Sequence, residues 1–266
     1  SGVTLSSSVN VGSIDKSTFP TYQNKYGAGY QSIGGPGNSG FYVDGVAEDG
    51  NYYANFPEDG SWGPAFNPNL NVYQWDSYDV TSPNYGKATP WVAAKNGPIT
   101  FFNTPTTFTN SLSLQKGDKS KNIAFNFENM ISDGLMPNSH LSKNNFSLKV
   151  NYDLTDKLHS TFYSSLTLQD TRGRNVTGYS DNTVTGFRQW WQTNVDLQAL
   201  KDAYFKNLAN PTAANNYANV TWNRVSAANG SPIYWNNPYF QAYENYSTDQ
   251  RNRTFSYGQL TYDLND

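Results

Sequence analysis

The chain has no cysteine and two histidines among 266 residues. The first absence excludes a disulfide scaffold and a thiolate metal site, and it leaves the compartment open. The second leaves little for acid–base chemistry. His140 falls in a loop and His159 on the polar face of an alternating segment, where a lone histidine reads as structural. No GxSxG, HExxH, P-loop or GxGxxG pattern occurs. No run of eighteen apolar residues occurs either, which excludes a membrane-spanning helix but not a membrane barrel, whose strands alternate. Charge is also scarce. Charged residues are 15% of the chain and the net charge is -3, so there is no nucleic-acid footprint.

What is abundant is aromatic and neutral-polar. Phe, Trp and Tyr make up 16% of the residues, with Tyr the commonest of the three at 20. Mean hydropathy is nevertheless -0.70, because Asn, Ser, Thr, Gln and Tyr supply the polarity. Such a profile suits a bacterial outer-membrane barrel with a polar lumen, aromatic girdles and long loops. It equally suits a secreted carbohydrate-binding protein.

The most ordered stretch is Phe101 to Gly173. Phe108, Leu112 and Leu114 share one parity, and Ile123, Phe125 and Phe127 share another. Phe146, Leu148, Val150, Tyr152 and Leu154 follow, then Leu158, Phe162, Leu166 and Leu168. Successive side chains on a strand point to opposite faces, so each set makes one apolar face. The intervening Asn145, Ser147, Lys149, Asn151 and Asp153 make a wet one. The expectation is an antiparallel meander. At about 3.4 Å per residue, Phe146 to Leu154 runs roughly 30 Å. Tilted by about 40°, it rises about 23 Å, close to the ~25 Å apolar band of an outer-membrane barrel. Tight turns at Lys116 to Lys119 and Thr155-Asp156, against a longer loop containing Ser132 to Asn138, fit the unequal rims of such a barrel. Half of a soluble β-sandwich alternates in the same way.

Five pieces, in order, resemble SusC/RagA-type TonB-linked outer-membrane transporters. They are Asn110 to Ser120, Ile123 to Phe127, Gly134 to Asn138 (GLMPN), Lys143 to Leu148 and Leu154 to Leu158. Tyr22 to Gly27, Ser61 to Pro64, Arg188 to Asp196, Trp235 to Tyr239 and Tyr243 to Asn245 match in order as well, so the resemblance covers nearly the whole chain. It implies part of an all-β transmembrane barrel in the outer membrane of Bacteroidota, with long extracellular loops. It also implies import of oligosaccharides or peptides driven by TonB through an N-terminal segment missing here, under a SusD-like surface lipoprotein. No catalytic residue and no cofactor are then expected, and Phe146, Leu148, Val150 and Tyr152 would face outer-membrane lipid.

Six strands are expected, the first over Gly2 to Gly12 and the last over Gln250 to Leu264. Plugged transporters need about 22 to enclose a lumen. No signal peptide precedes Val3, and Tyr257 to Asp266 stops where a turn should follow, so the chain reads as cut at both ends. Residues 13 to 106 and 212 to 248 read as long polar loops, with a turn cluster at Gly34 to Gly40. Between them, Leu197, Leu200 and Tyr204 recur at helical spacing. One loop helix is expected over Val195 to Asn207, with Thr193 or Asn194 as its cap and Asp196 in the first turn.

The candidate contact residues are loop tryptophans: Trp62, Trp75, Trp190, Trp191, Trp222 and Trp235. An indole offers an apolar face and a polar handle, which suits a path for oligosaccharide or peptide cargo or a contact with a lid protein. The competing reading makes each a small core that holds a loop together. Asp44, Glu48, Asp49, Glu58 and Asp59 could be drawn into a glycosidase pair, but nothing fixes their separation, and they read as solvated acids. The same run could hold Ca²⁺, though Asp44 to Gly50 fits no EF-hand loop.

Overall fold

The structure, a computed structural model, describes residues 2–30, 37, 39–42, 45–179 and 182–264. Gly34 to Pro36 and Asn38 of the expected turn cluster lie outside the described residues, and so does Asp44. Those described form, in chain order, β1 (Gly2–Val11), β2 (Tyr52–Tyr53), β3 (Asn67–Tyr73), β4 (Thr89–Trp91), β5 (Thr106–Gly117) and β6 (Lys121–Asp133). Then come β7 (His140–Asp153), β8 (Leu158–Arg172), α1 (Thr183–Gln189), α2 (Leu197–Leu208), α3 (Pro238–Glu244) and β9 (Thr248–Tyr262). No helix is long and apolar enough to cross a membrane, which says nothing of strands. The chain divides into two compact units, each described by itself.

The first unit is one antiparallel sheet in the order β1-β5-β6-β7-β8-β9. Period-two alternation places its side chains. Leu5 pairs with Leu112, Leu112 with Phe127, Phe127 with Phe146 and Phe146 with Leu166, forming an apolar row across five strands. The neighbouring row runs Val3, Leu114, Phe125, Leu148. Within the first row the rings of Phe127 and Phe146 lie 4.9 Å apart. A one-residue slip would turn every one of these side chains to the other face, so the pattern holds the register. The opposite face is wet and cross-linked. Ser113 donates to Asn126 at 2.7 Å, and Asn126 donates to Ser147 at 3.2 Å. Asn145 donates to Glu128 at 3.1 Å and accepts from Thr167 at 2.9 Å. The apolar face stays open: Leu5 is 78% exposed and Leu260 70%. Phe146, Leu148 and Val150 are half-buried by their neighbours, and Tyr152 is exposed.

The meander is as expected, with longer strands. β7 has fourteen residues because pairing continues to its first residue. There His140, expected in a loop, sits opposite Asp133 with its ring nitrogen 2.7 Å from the carboxylate. The turns after β5 and β7 are tight. The connections β1–β5, β6–β7 and β8–β9 leave from the other rim, and two of them are the long inserts.

Those inserts, Asp15–Phe102 and Asn175–Tyr246, form the second unit. They are not featureless loops. β2 pairs parallel with β3, and β3 antiparallel with β4. Phe56, Trp91, Phe101, Leu197, Leu200, Tyr204 and Trp222 are fully or almost fully buried. The single expected helix is α2, and α1 and α3 were not foreseen. The α2 start also differs from expectation. Asp196 is its N-cap, accepting from the backbone N–H groups of Gln198 and Ala199. Thr193 and Asn194 are engaged elsewhere. Thr193 donates to the Tyr26 carbonyl, and Asn194 accepts from the Ala28 N–H while donating to Gln74. Leu197, Leu200, Ala203, Tyr204 and Asn207 form the buried stripe of α2.

Candidate functional site

Long inserts lack ladder partners for their backbone polar groups, and each buried group still needs one. Asparagine answers that need, with two N–H donors and an acceptor on one short side chain. Asn223 is fully buried. It donates to the Phe56 carbonyl at 3.0 Å and accepts from the N–H groups of Tyr234 and Trp235 at 2.9 and 3.0 Å. Asn237, also fully buried, donates to the carbonyls of Leu200 and Val220 and caps α3 by accepting from Tyr239 N–H. Pro238 occupies the first turn of α3, where a missing N–H costs nothing. At the other wall, Asn182 caps α1 by accepting from Val184 and Thr185. The buried Gly186 and Phe187 then bring the chain to Trp190 and Trp191.

These clamps bring four of the six candidate tryptophans together. Trp190, Trp191, Trp222 and Trp235 line one shallow pocket of about 40 Å³. Trp191 and Trp222 meet edge to face at 5.3 Å, and Phe187 packs on Trp191 at 5.2 Å. Trp235 Nε1 donates to Asp59 at 3.1 Å, which fixes the plane of that indole. Trp190 Nε1 is buried and has no hydrogen-bond partner among the described residues. Asn236 and Gln241 add amide groups to the lining, joined to each other at 3.0 Å. Rigid aromatic walls with a few fixed amides suit surface contact with a group that has an apolar face and polar edges, and the pocket is too small to enclose one.

The remaining two tryptophans separate. Trp62 is 59% exposed, packs on Tyr26 at 5.6 Å, and lines a groove of about 300 Å³ that shares Phe187 and Trp191 with the pocket. Trp75 is buried at the start of a 3₁₀ turn and has a structural place. Trp222 and Trp191 do both jobs, since they are core residues whose edges reach the pocket. Tyr234, 67% exposed and lining the same pocket, was missed. Its neighbour Trp235 was the available signal.

Two of the candidate acids are held by hydrogen bonds. Asp49 is held by Asn51 and Tyr73, and Asp59 accepts from Tyr30 and Trp235. Burial pushes Glu58 up from the ordinary carboxylate range, with the neighbouring Asp59 charge adding to it. Among the described residues no three histidine or carboxylate side chains converge on a point that could hold a metal. His159 bridges Asp153 at 2.6 Å and Asp263 at 3.3 Å at the tight-turn rim of the sheet, tying three strands together. No family model and no curated protein matches the chain.

Proposed function

We propose that the chain is part of a transmembrane β-barrel that takes up oligosaccharides or peptides across the bacterial outer membrane. In the reading that the sequence resemblance implies, it is a SusC-type transporter: TonB drives import, and a SusD-like lipoprotein covers the outer mouth. The cargo is carried, not cleaved, so no residue is assigned a catalytic role. One observation supports this most. The six-stranded meander turns its apolar side chains to one open face and hydrogen-bonds its polar side chains across the other. Lipid outside and water inside would satisfy both faces at once. An edge in hydrocarbon leaves backbone groups unpaired at several kcal/mol each, so the reading requires further strands beside β1 and β9. The aromatic pocket would be a contact for cargo or lid.

A secreted β-sandwich that binds carbohydrate is the competing reading. It needs a second sheet against the apolar face. The unit that contains the six-stranded sheet has no second sheet among its described residues.

Fractionation of the protein from the cells that make it separates the two. Retention in the outer-membrane fraction through a high-salt wash, with release only by detergent, is the expected result. A species that stays soluble without detergent would overturn the barrel reading.

A further inference from the structure

A second cleft in the insert unit shares no lining residue with the tryptophan pocket. Its volume is about 440 Å³. One wall is built on Arg224 and Tyr78. Arg224 is only 7% exposed, and its guanidinium carbon lies 4.6 Å from the Tyr78 ring centroid. Its Nε donates to the Ser226 carbonyl at 3.2 Å and its Nη2 to the Ala227 carbonyl at 3.1 Å. None of the ion pairs among the described residues includes it. Asp79 also lines the cleft, yet its oxygens accept from Thr81 and Asn207. A guanidinium cannot shed its charge, and burial disfavours it here; the Asp79 charge offsets part of that cost from a distance, without a contact ion pair.

Beside it lies a second unmet group. Tyr78 Oη is buried and has no hydrogen-bond partner among the described residues. Burial pushes its phenol up from the ordinary value, so it remains a donor at neutral pH. Lys206, exposed, adds a second cation to the lining. Cation and donor on one wall complement an anionic oxygen.

The remaining walls mix polar side chains with Val80, Val220 and alanines, and they are held firmly. Asn216, Tyr217 and Ala218 adopt left-handed φ values of 49°, 55° and 75° in succession. The bonds from Tyr217 N–H to the Thr212 carbonyl at 2.8 Å and from Asn216 Nδ2 to the Gly230 carbonyl at 2.6 Å pin this segment. Backbone in this region persists only where its surroundings over-determine it, as at ligand clamps. The space far exceeds one carboxylate, and Asn and Thr side chains share its lining with Val and Ala, which suits a sugar ring, with polar edges and apolar faces, carrying the charge.

We infer that this cleft binds an acidic sugar, a uronate whose carboxylate pairs with Arg224 and accepts from Tyr78 Oη. The site goes beyond the proposed uptake and does not rest on it, because the insert unit alone supplies every contact.

The test is calorimetric titration of the full chain with glucuronate, glucose, acetate and an acidic peptide, repeated on Tyr78→Phe and Arg224→Gln. Glucuronate should bind and glucose and acetate should not compete. Tyr78→Phe should keep or raise Tm, since it deletes an unpaired buried hydroxyl, yet weaken glucuronate by about tenfold. Arg224→Gln should abolish binding. Because that variant removes two structural hydrogen bonds and can misfold, Tyr78→Phe carries the decision. Equal affinity for glucose and glucuronate, unchanged affinity in Tyr78→Phe, equal binding of acetate, or preference for the peptide would each overturn the assignment.

Discussion

The two units of this chain are built on opposite principles. The sheet leaves Leu5, Phe162 and Leu260 in the open, at 78%, 47% and 70% exposure, and holds together through six strands paired in unbroken register. The insert unit hides Phe56, Trp91 and Trp222 almost completely and has little ladder, so burial and asparagine clamps take over. Where the backbone is satisfied by its neighbours, side chains are free to face a solvent of either kind. Where it is not, side chains must do the satisfying, and the sequence fills with Asn.

That contrast can be broken from either side. Trp222→Ala should have the largest effect, about 3–5 kcal/mol of lost stability from the cavity it leaves. The loss should appear in the melting of the insert unit, followed by tryptophan fluorescence, with the sheet's β-signal in circular dichroism unchanged. Joint melting would mean that the two principles are not separable. Next, on the proposed barrel reading, is Leu148→Arg, which should cost about 2–4 kcal/mol near a bilayer midplane, while Lys149→Gln on the wet face costs little. Equal effects of the two in a lipid folding assay would remove the distinction between faces. Asn223→Ala should cost about 1–3 kcal/mol, because it strands the Phe56 carbonyl and two N–H groups. A neutral result in urea unfolding would refute the role given to asparagine.

The smallest effect concerns Asp76. Burial raises its pKa above the ordinary 3.8, against the hydrogen bond from Asn84. A raised carboxyl favours the protonated form in the fold. Its contribution is therefore fully present below pH 3.8 and is lost as pH rises through the folded value. Asp76→Asn should raise Tm at neutral pH, and the gain should vanish as pH falls below the ordinary carboxylate range. A gain that persists in acid would point to a cause other than charge.

The same contrast explains what could be read from the sequence. Alternation is a local signal, so Phe125, Phe127, Phe146 and Leu148 announced both their strands and their shared face. The helices α1 and α3, of seven residues each, are too short to show a period. Caps and distant partners hold them, as Asn237 does by reaching Leu200 and Val220. The α2 cap was misplaced for a related reason. Thr193 and Asn194 have the right chemistry, but Tyr26, Ala28 and Gln74 claim them from more than a hundred residues away. Composition marked the tryptophans as candidates. It could not say that Trp190, Trp191, Trp222 and Trp235 would meet while Trp75 went to the core, because that depends on contacts such as Trp235 to Asp59. The orphaned Tyr78 hydroxyl and the Arg224 wall left no trace in any motif.

The strand count of the sheet carries an arithmetic consequence. Six antiparallel strands is an even number, so β1 and β9 run in opposite directions and their free edges are mutually antiparallel. The start of β1 and the end of β9 lie at the same rim, because Gly2 pairs with Gln115 beside one tight turn and Tyr262 with Leu158 beside the other. Any all-antiparallel ring completed on this sheet must therefore add an even number of strands, and an odd complement would force one parallel seam.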